Sequence, residues 1–430
     1  MLLVATLISA VYSYRFLATD DNLQSTPQCY GAIFDAGSSG TRVYVYQWSC
    51  REGWTLPMIN LSETSNDKKQ EPGLASFANN LDKIQAYLDP LINFTYNVVP
   101  ENMYQYTPIM LGATAGLRQL SQVQQNEIIQ TVQQVFNNTK FYYSPEWVRV
   151  LTGQEEGMYM WMSVFYLLNQ QVKSLLTLDL GGASTQNAFP YNNTGPDFVF
   201  LNVRPNVSNF SLYSVSYLGY GNDQARLSIL KSSIQQGDDT IYSPCFQKDY
   251  SGDVTIDQKL YKIQGVGNLA TCQQIILTFL NTADTTSINQ SYEPPVTNQT
   301  IYGTNGIVTM AKFFNLTNFN KQGYLTQLQA FTNLNWEQAV QAYPNNPYLS
   351  NLYFMGTYVY MLIYNGYNIP STSIVQAPSN INGISPSWTL AACSYQLAQI
   401  NCTDDSPVCQ FNAYSSIIAM FWVFALGFIN

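Results

Sequence analysis

The stretch Ala32-Ile33-Phe34-Asp35-Ala36-Gly37-Ser38-Ser39-Gly40-Thr41-Arg42 returns as Leu176-Thr177-Leu178-Asp179-Leu180-Gly181-Gly182-Ala183-Ser184-Thr185-Gln186, and no other feature restricts the fold as much. Both copies read as three mostly apolar residues, Asp-x-Gly, three small residues and Thr. Asp35 matches Asp179, Gly37 matches Gly181 and Thr41 matches Thr185. The apolar run predicts a strand, and the Gly/Ser cluster behind it predicts a turn. Such a turn aims several backbone N–H groups and hydroxyls at one anion, and glycine lets the backbone come close. A carboxylate at the strand end repels a bare phosphate, so it requires a cation or an activated water in between. One copy alone reads as an ordinary hairpin turn. Two copies predict two facing phosphate-binding loops with a hydrated metal between them.

A chain of 430 residues suits two domains, each with its own core. Only 10% of residues are charged and the net charge is −9, which excludes the basic face that nucleic-acid binding requires. An anionic substrate must then be held by local backbone donors and a cation. Histidine is absent, so His-based triads, His-ligated zinc and His general bases are excluded. The metal that fits is a hard, oxygen-liganded ion, Ca²⁺ or Mg²⁺.

Residues 1–13 hold an apolar run with Val11 and Ser13 placed as the −3 and −1 residues of a signal-peptidase site, and read as a signal peptide. Sequons at Asn60, Asn93, Asn137, Asn192, Asn206, Asn209, Asn289, Asn298, Asn315 and Asn401 agree with a secretory route to the exterior or the cell surface. Residues 414–430 are almost wholly apolar, without a basic flank. They read as a lipid-anchor signal, with Asp404-Asp405-Ser406 as its site, or as a transmembrane tail. Either attaches the protein to a membrane. Cleavage near Asp405 would remove Cys409 and leave six of seven cysteines, an even number that suits an oxidising compartment.

In chain order, Cys29 and Cys50 bracket the first hairpin, and a disulfide can close it. Arg51–Ser76 reads as loop, Leu81–Leu88 as a surface helix ended by Pro90, and Tyr106–Leu111 as a strand running into Gly112-Ala113-Thr114-Ala115-Gly116. A helix is expected over Leu117–Phe136. Beyond Gly153-Gln154-Glu155-Glu156-Gly157, residues 158–168 are apolar on every face, which predicts a helix buried all round between two domains. Two adjacent acids at its mouth must be paired or working. Glu155 is assigned to the helix dipole, and one of the pair is expected to do chemistry. Cys245 and Cys272 are expected to pair, 281–303 to be loop, and helices to resume at 308–314, 335–343 and 351–364.

Five segments taken together resemble, in order, the five apyrase conserved regions of the nucleoside triphosphate diphosphohydrolases (ecto-apyrases and nucleoside diphosphatases). They are residues 35–42, 112–118, 153–157, 179–186 and Ser387-Trp388-Thr389-Leu390. The resemblance covers most of the chain. It implies an α/β fold of two ribonuclease-H-like, actin/hexokinase-type domains with the active site in the cleft. The first domain spans 28–170 and is completed by 388–403, and the second spans 171–387.

The same resemblance implies hydrolysis of the terminal phosphate of nucleoside tri- and diphosphates with Ca²⁺ or Mg²⁺. In this reading Glu156 is the general base, and Ser184 and Gln186 position the water. Asp35 and Asp179 hold the metal through water. Ser38, Ser39, Gly40, Thr41, Arg42, Thr114, Ala115, Gly181, Gly182, Ala183 and Ser184 line the phosphates, and Tyr358 is the aromatic under the base or else a core residue of its helix. Gly40 and Arg42 replace the His and Ser of many animal cell-surface members, and Ala391-Ala392 replaces the usual Gly-Tyr. The alternatives are a secretory-pathway diphosphatase for UDP or GDP, a sugar-kinase-like phosphotransferase, and an inactive surface binding protein.

Overall fold

The computed structural model describes residues 28–50, 59, 66–169, 174–191, 198–201, 210–281 and 299–398. The leader, the 414–430 tail, Cys402, Cys409 and the sequons other than Asn93, Asn137 and Asn315 lie outside them.

The first copy of the duplicated stretch is a hairpin of β1 (Gln28–Ala36) and β2 (Thr41–Ser49). With β3 (Asp67–Gln70), β4 (Pro108–Ala113) and β5 (Tyr142–Val150) it forms a five-stranded sheet of order β3-β2-β1-β4-β5. The second copy is the hairpin of β6 (Leu175–Leu180) and β7 (Ser184–Pro190), followed by β8 (Phe198–Leu201) and β9 (Phe210–Leu218). A small separate sheet follows, of β10 (Thr240–Ser243), β11 (Ser251–Ile256) and β12 (Lys259–Gly265). Then come β13 (Thr300–Asn305), β14 (Asn318–Phe319) and β15 (Val375–Gln376), which complete a seven-stranded sheet of order β14-β15-β13-β6-β7-β9-β8.

The two large sheets repeat one unit. In each, the hairpin's first strand also pairs in parallel with a later strand, β1 with β4 and β6 with β13. Asp35 lies opposite Arg42 and Gly112, and Asp179 lies opposite Gln186 and Thr304. A parallel neighbour needs a crossover connection, so these central strands are covered on both faces and read as apolar runs. On one side of the first sheet, Ala32, Phe34 and Leu111 pack on Leu88 and Leu91 of the Ile84–Val98 helix and on Val132 and Phe136 of the Gln122–Asn137 helix.

On the other side, Ile33 and Met110 share a core with Leu175, Ala188 and Leu212 of the second sheet. Between the two sheets runs the Gly153–Leu167 helix, contributing Met158, Tyr159, Met160, Trp161 and Val164 to that shared core. Its apolar residues are buried on nearly all sides, as its lack of a polar face predicts, and each such side chain contributes about 1.5–3 kcal/mol. The Trp388–Ala398 helix packs against it and against β1. The disulfides Cys29–Cys50 and Cys245–Cys272 are both present. Cys393 is a buried free thiol.

Three local expectations are corrected. Pro90 does not end its helix but sits inside Ile84–Val98. The one backbone bond that proline removes is outweighed by burial of Leu88, Leu91 and Ile92 around it. The polar run 51–76 contains β3, an edge strand whose lysines suit exposure. The run 281–303 ends in β13, a strand in the middle of a sheet.

Candidate active site

Both turns close in the same way. The Gly37 N–H donates to Gly40 O at 2.9 Å, and the Gly181 N–H to Ser184 O at 3.0 Å. The turns face each other across one cleft of about 970 Å³, lined by Asp35, Ser38, Ser39, Gly40 and Arg42 from one sheet and by Asp179, Gly181, Gly182, Ala183 and Ser184 from the other. They approach so nearly that a Cβ on Gly182 would stand 2.7 Å from Ser38 Oγ. Asp35 and Asp179 therefore open into one cavity, not two.

Each turn rests on a glycine of a neighbouring segment. A Cβ on Gly116 would lie 2.9 Å from Ser38 Cα, and one on Gly221 would run into the backbone nitrogens of Ala183 and Ser184. Backbone cannot yield as a side chain can. Gly221→Ala is expected to destabilise the fold by about 1–3 kcal/mol and to displace the second turn, read as a lower denaturation midpoint together with lost activity.

The two acids at the helix mouth take different roles. Glu155 completes a capping box with Thr152 and pairs bidentately with Arg149, at 2.8 and 2.9 Å. Burial pushes its carboxyl up, but the Arg149 and Thr152 hydrogen bonds outweigh it and hold the pKa below its ordinary value. Glu156 points into the cleft at 8% exposure. Its Oε2 accepts from Arg118 Nη2 at 2.7 Å and from Gln186 Nε2 at 3.2 Å. Burial raises its pKa, and the Arg118 guanidinium opposes that rise. No side-chain donor among the described residues is recorded on Oε1. Ser184 Oγ accepts from Gln186 Nε2 at 2.6 Å and from Arg118 Nη2 at 3.1 Å, so its own proton is available to donate into the cleft.

Asp179 Oδ1 accepts from Thr304 Oγ1 at 2.7 Å and from Asn305 Nδ2 at 2.6 Å. Asn305 delivers that amide from a strained backbone with φ of 50°. The Trp388 indole hydrogen-bonds Asp35, and its ring passes Gly112, where a Cβ would lie 2.5 Å from it. Burial, and then the Glu156 charge, push Asp35 up to about 7. Burial above all, with Thr304 and Asn305 opposing, leaves Asp179 at about 6. The Arg42 charge only partly offsets these influences on Asp35, and the acidic groups here that could ligate a cation offer oxygen. The described residues hold no cluster of three acidic, His or Cys ligands, so a hard cation would reach Asp35 and Asp179 through its own water.

Thr114 and Ala115 also line the cleft. Gln186 does not line it but reaches it through Ser184 and Glu156. Thr41 is turned away: its side chain is fully buried, and its N–H donates to Tyr87 Oη at 3.1 Å. Tyr358 is corrected. It is fully buried and donates to Tyr220 O at 2.7 Å, because it lies three turns into the Leu349–Met361 helix, where neighbouring helices cover it. Of the aromatics that line the cleft, Tyr44, Phe313, Tyr348 and Trp388, the exposed one is Tyr348, just before that helix, at 67% exposure.

Sequence reasoning gave no role to Arg118, although it stands inside the second motif, nor to Thr304 and Asn305. The β-rich Thr-Ile-Tyr run followed by Asn-Gly was the available signal for the latter pair.

A family profile described as "GDA1/CD39 (nucleoside phosphatase) family" matches residues 21–409. The chain is 30% identical over 449 residues to a rat protein named ectonucleoside triphosphate diphosphohydrolase 1, covering 91% of this chain and 86% of the relative. It is 27% identical over 372 residues to an Arabidopsis thaliana protein named probable apyrase 3, covering 79% and 76%. The crystal structure of a nucleoside triphosphate hydrolase from Neospora caninum superposes with a TM-score of 0.65 at 15% identity, over 92% of this chain and 97% of that one. That likeness bears out the expected α/β architecture.

Proposed function

The chain belongs to the GDA1/CD39 nucleoside phosphatase family, and from that premise we propose that it removes the terminal phosphate of nucleoside tri- and diphosphates with a water deprotonated by Glu156. The observation that carries this is the single cleft in which two matching turns, the half-buried Asp35, the buried Asp179 and the buried Glu156 meet. A divalent cation, Ca²⁺ or Mg²⁺, would be held through water by Asp35 and Asp179 and would neutralise phosphate charge.

The backbone N–H groups of the two turns, with Ser38, Ser39, Thr114 and Ala115, hold the phosphates. Ser184 donates its proton to the attacking water, while Glu156 Oε1 accepts one from it. That pair of contacts leaves a water lone pair facing the phosphorus, in line with the departing nucleotide. Arg118 and Gln186 touch neither, but fix Glu156 Oε2 and Ser184 Oγ. Tyr348, not Tyr358, takes the place of the aromatic under the base.

The protein acts outside cells or at their surface. The disulfides and the names of the relatives support this. No helix among the described residues is long and apolar enough to cross a membrane.

The direct test is phosphate release from ATP, ADP, UTP, UDP and GDP with Ca²⁺, with Mg²⁺ and with EDTA. Release is expected with either cation, and persistence in EDTA contradicts the cation's part. Arg118 gives a second test. Without its guanidinium the Glu156 pKa rises further, so Arg118→Met is expected to move the acid limb of the pH–rate profile to higher pH. An unmoved limb would remove Arg118 from this role.

A further inference from the structure

Beyond the turns, the cleft continues along the Gly306–Phe313 helix, which begins directly after Asn305, the donor to Asp179. Thr309, Lys312 and Phe313 line the cavity from one face of that helix. Lys312 comes seven residues after Asn305, so its Cα stands roughly 10 Å along the helix axis from the phosphate end. Tyr348, and Leu352 and Met355 of the adjoining Leu349–Met361 helix, also line the cavity. Phe313, Tyr348, Leu352 and Met355 offer apolar surface that can stack against any nucleobase without telling one from another.

The charge on this helix face is Lys312. Three cationic side chains line the cleft, and two of them are matched by acids. Arg42 pairs with Asp67 at 2.7 Å, and Lys69 with Glu71 at 2.5 Å. Lys312 enters no ion pair with a described residue.

We infer that Lys312 makes the site select nucleobases with an exocyclic carbonyl oxygen (uracil, guanine, hypoxanthine) over bases with an amine at that position (cytosine, adenine). The inference rests on the nucleotide-hydrolase reading above. An ammonium has three donors and no acceptor, so it attracts a carbonyl oxygen and meets an amine N–H donor to donor. Asn346, whose Oδ1 accepts the Tyr348 N–H at 3.0 Å, and Asn351 also line the cleft, but an amide carries both donor and acceptor and so does not by itself favour a carbonyl over an amine. The phosphate end cannot discriminate, because every nucleotide presents the same phosphates to it.

Two matched substrate pairs isolate the carbonyl: IDP against ADP, and UDP against CDP. The measurement is kcat/KM on all four for wild type, Lys312→Met and Lys312→Arg, with inorganic pyrophosphate as a competitor that has no base. In the wild type both carbonyl substrates are expected to lead their partners about tenfold or more, the lower end for a hydrogen bond from a charged donor. Lys312→Met is expected to bring both ratios to about one by loss on IDP and UDP, Lys312→Arg to keep them, and pyrophosphate inhibition to stay constant. Flat ratios in an active wild type, or ratios unchanged in Lys312→Met, overturn the role of the lysine. So does a parallel fall on all four substrates with weakened pyrophosphate inhibition, which would put the ammonium on phosphate. No phosphate from any nucleotide would instead overturn the hydrolase reading, and this inference with it.

Discussion

Glu156→Gln is expected to slow phosphate release by about two orders of magnitude or more, the usual consequence of removing a general base. The amide keeps the size of the side chain and an oxygen to accept from Arg118, but it cannot take a proton from water. Its effect on stability has the opposite direction. Burial raises the Glu156 pKa, so the folded protein holds that charge at a disadvantage, and the neutral amide should leave the denaturation midpoint unchanged or higher. The neighbouring Glu155→Gln separates cap from chemistry. It weakens the capping box and the Arg149 pair, so it should lower the midpoint while leaving turnover within a few-fold. Turnover of Glu156→Gln within about tenfold of wild type would count against Glu156 as the base.

The second large effect is expected from Asp35→Asn with Asp179→Asn. The double variant should lose most activity at any cation concentration, and it should also change the pH dependence of stability. Burial raises Asp35 from 3.8 to about 7 and Asp179 from 3.8 to about 6. A carboxyl raised on folding stabilises the fold fully below its unfolded pKa and loses that contribution as pH rises through the folded one. Without cation, wild type should therefore lose stability between about pH 4 and pH 7, and the double variant should lose less. Ca²⁺ at pH 7 should raise the wild-type midpoint by mass action and leave that of the variant in place. Thermal scans at several pH values, with Ca²⁺ or EDTA, check both statements. Parallel curves for the two proteins would contradict the pairing of these aspartates in one charged cleft.

Much of the site was legible in the sequence because it is built from short segments whose chemistry is local. Asp-x-Gly with small residues specifies a turn wherever it stands, and its repetition exposed the two-sheet plan before any coordinates. The wholly apolar 158–168 run identified the buried helix, and Glu155 caps it as expected. What stayed hidden was decided by packing over long sequence distances. Asp179 is held by Thr304 and Asn305, 125 and 126 residues away, on a strand that its polar composition disguised as loop. Arg118 meets Glu156 only because the short turn of helix after β4 folds over the mouth of another helix. The depth of Tyr358 depends on which helices cover it, and periodicity alone does not tell a cleft-facing stripe from a core-facing one.

The central claim is that Asp35 and Asp179 hold one cation that joins the nucleotide to both turns. Its most direct measurement is calorimetric titration of a non-hydrolysable nucleoside diphosphate analogue into Glu156→Gln protein, with Ca²⁺, with EDTA, and with both aspartates replaced by Asn. Saturable binding that requires Ca²⁺ and vanishes with the aspartates is the predicted result. Equal affinity in EDTA and in the aspartate-free protein would contradict it.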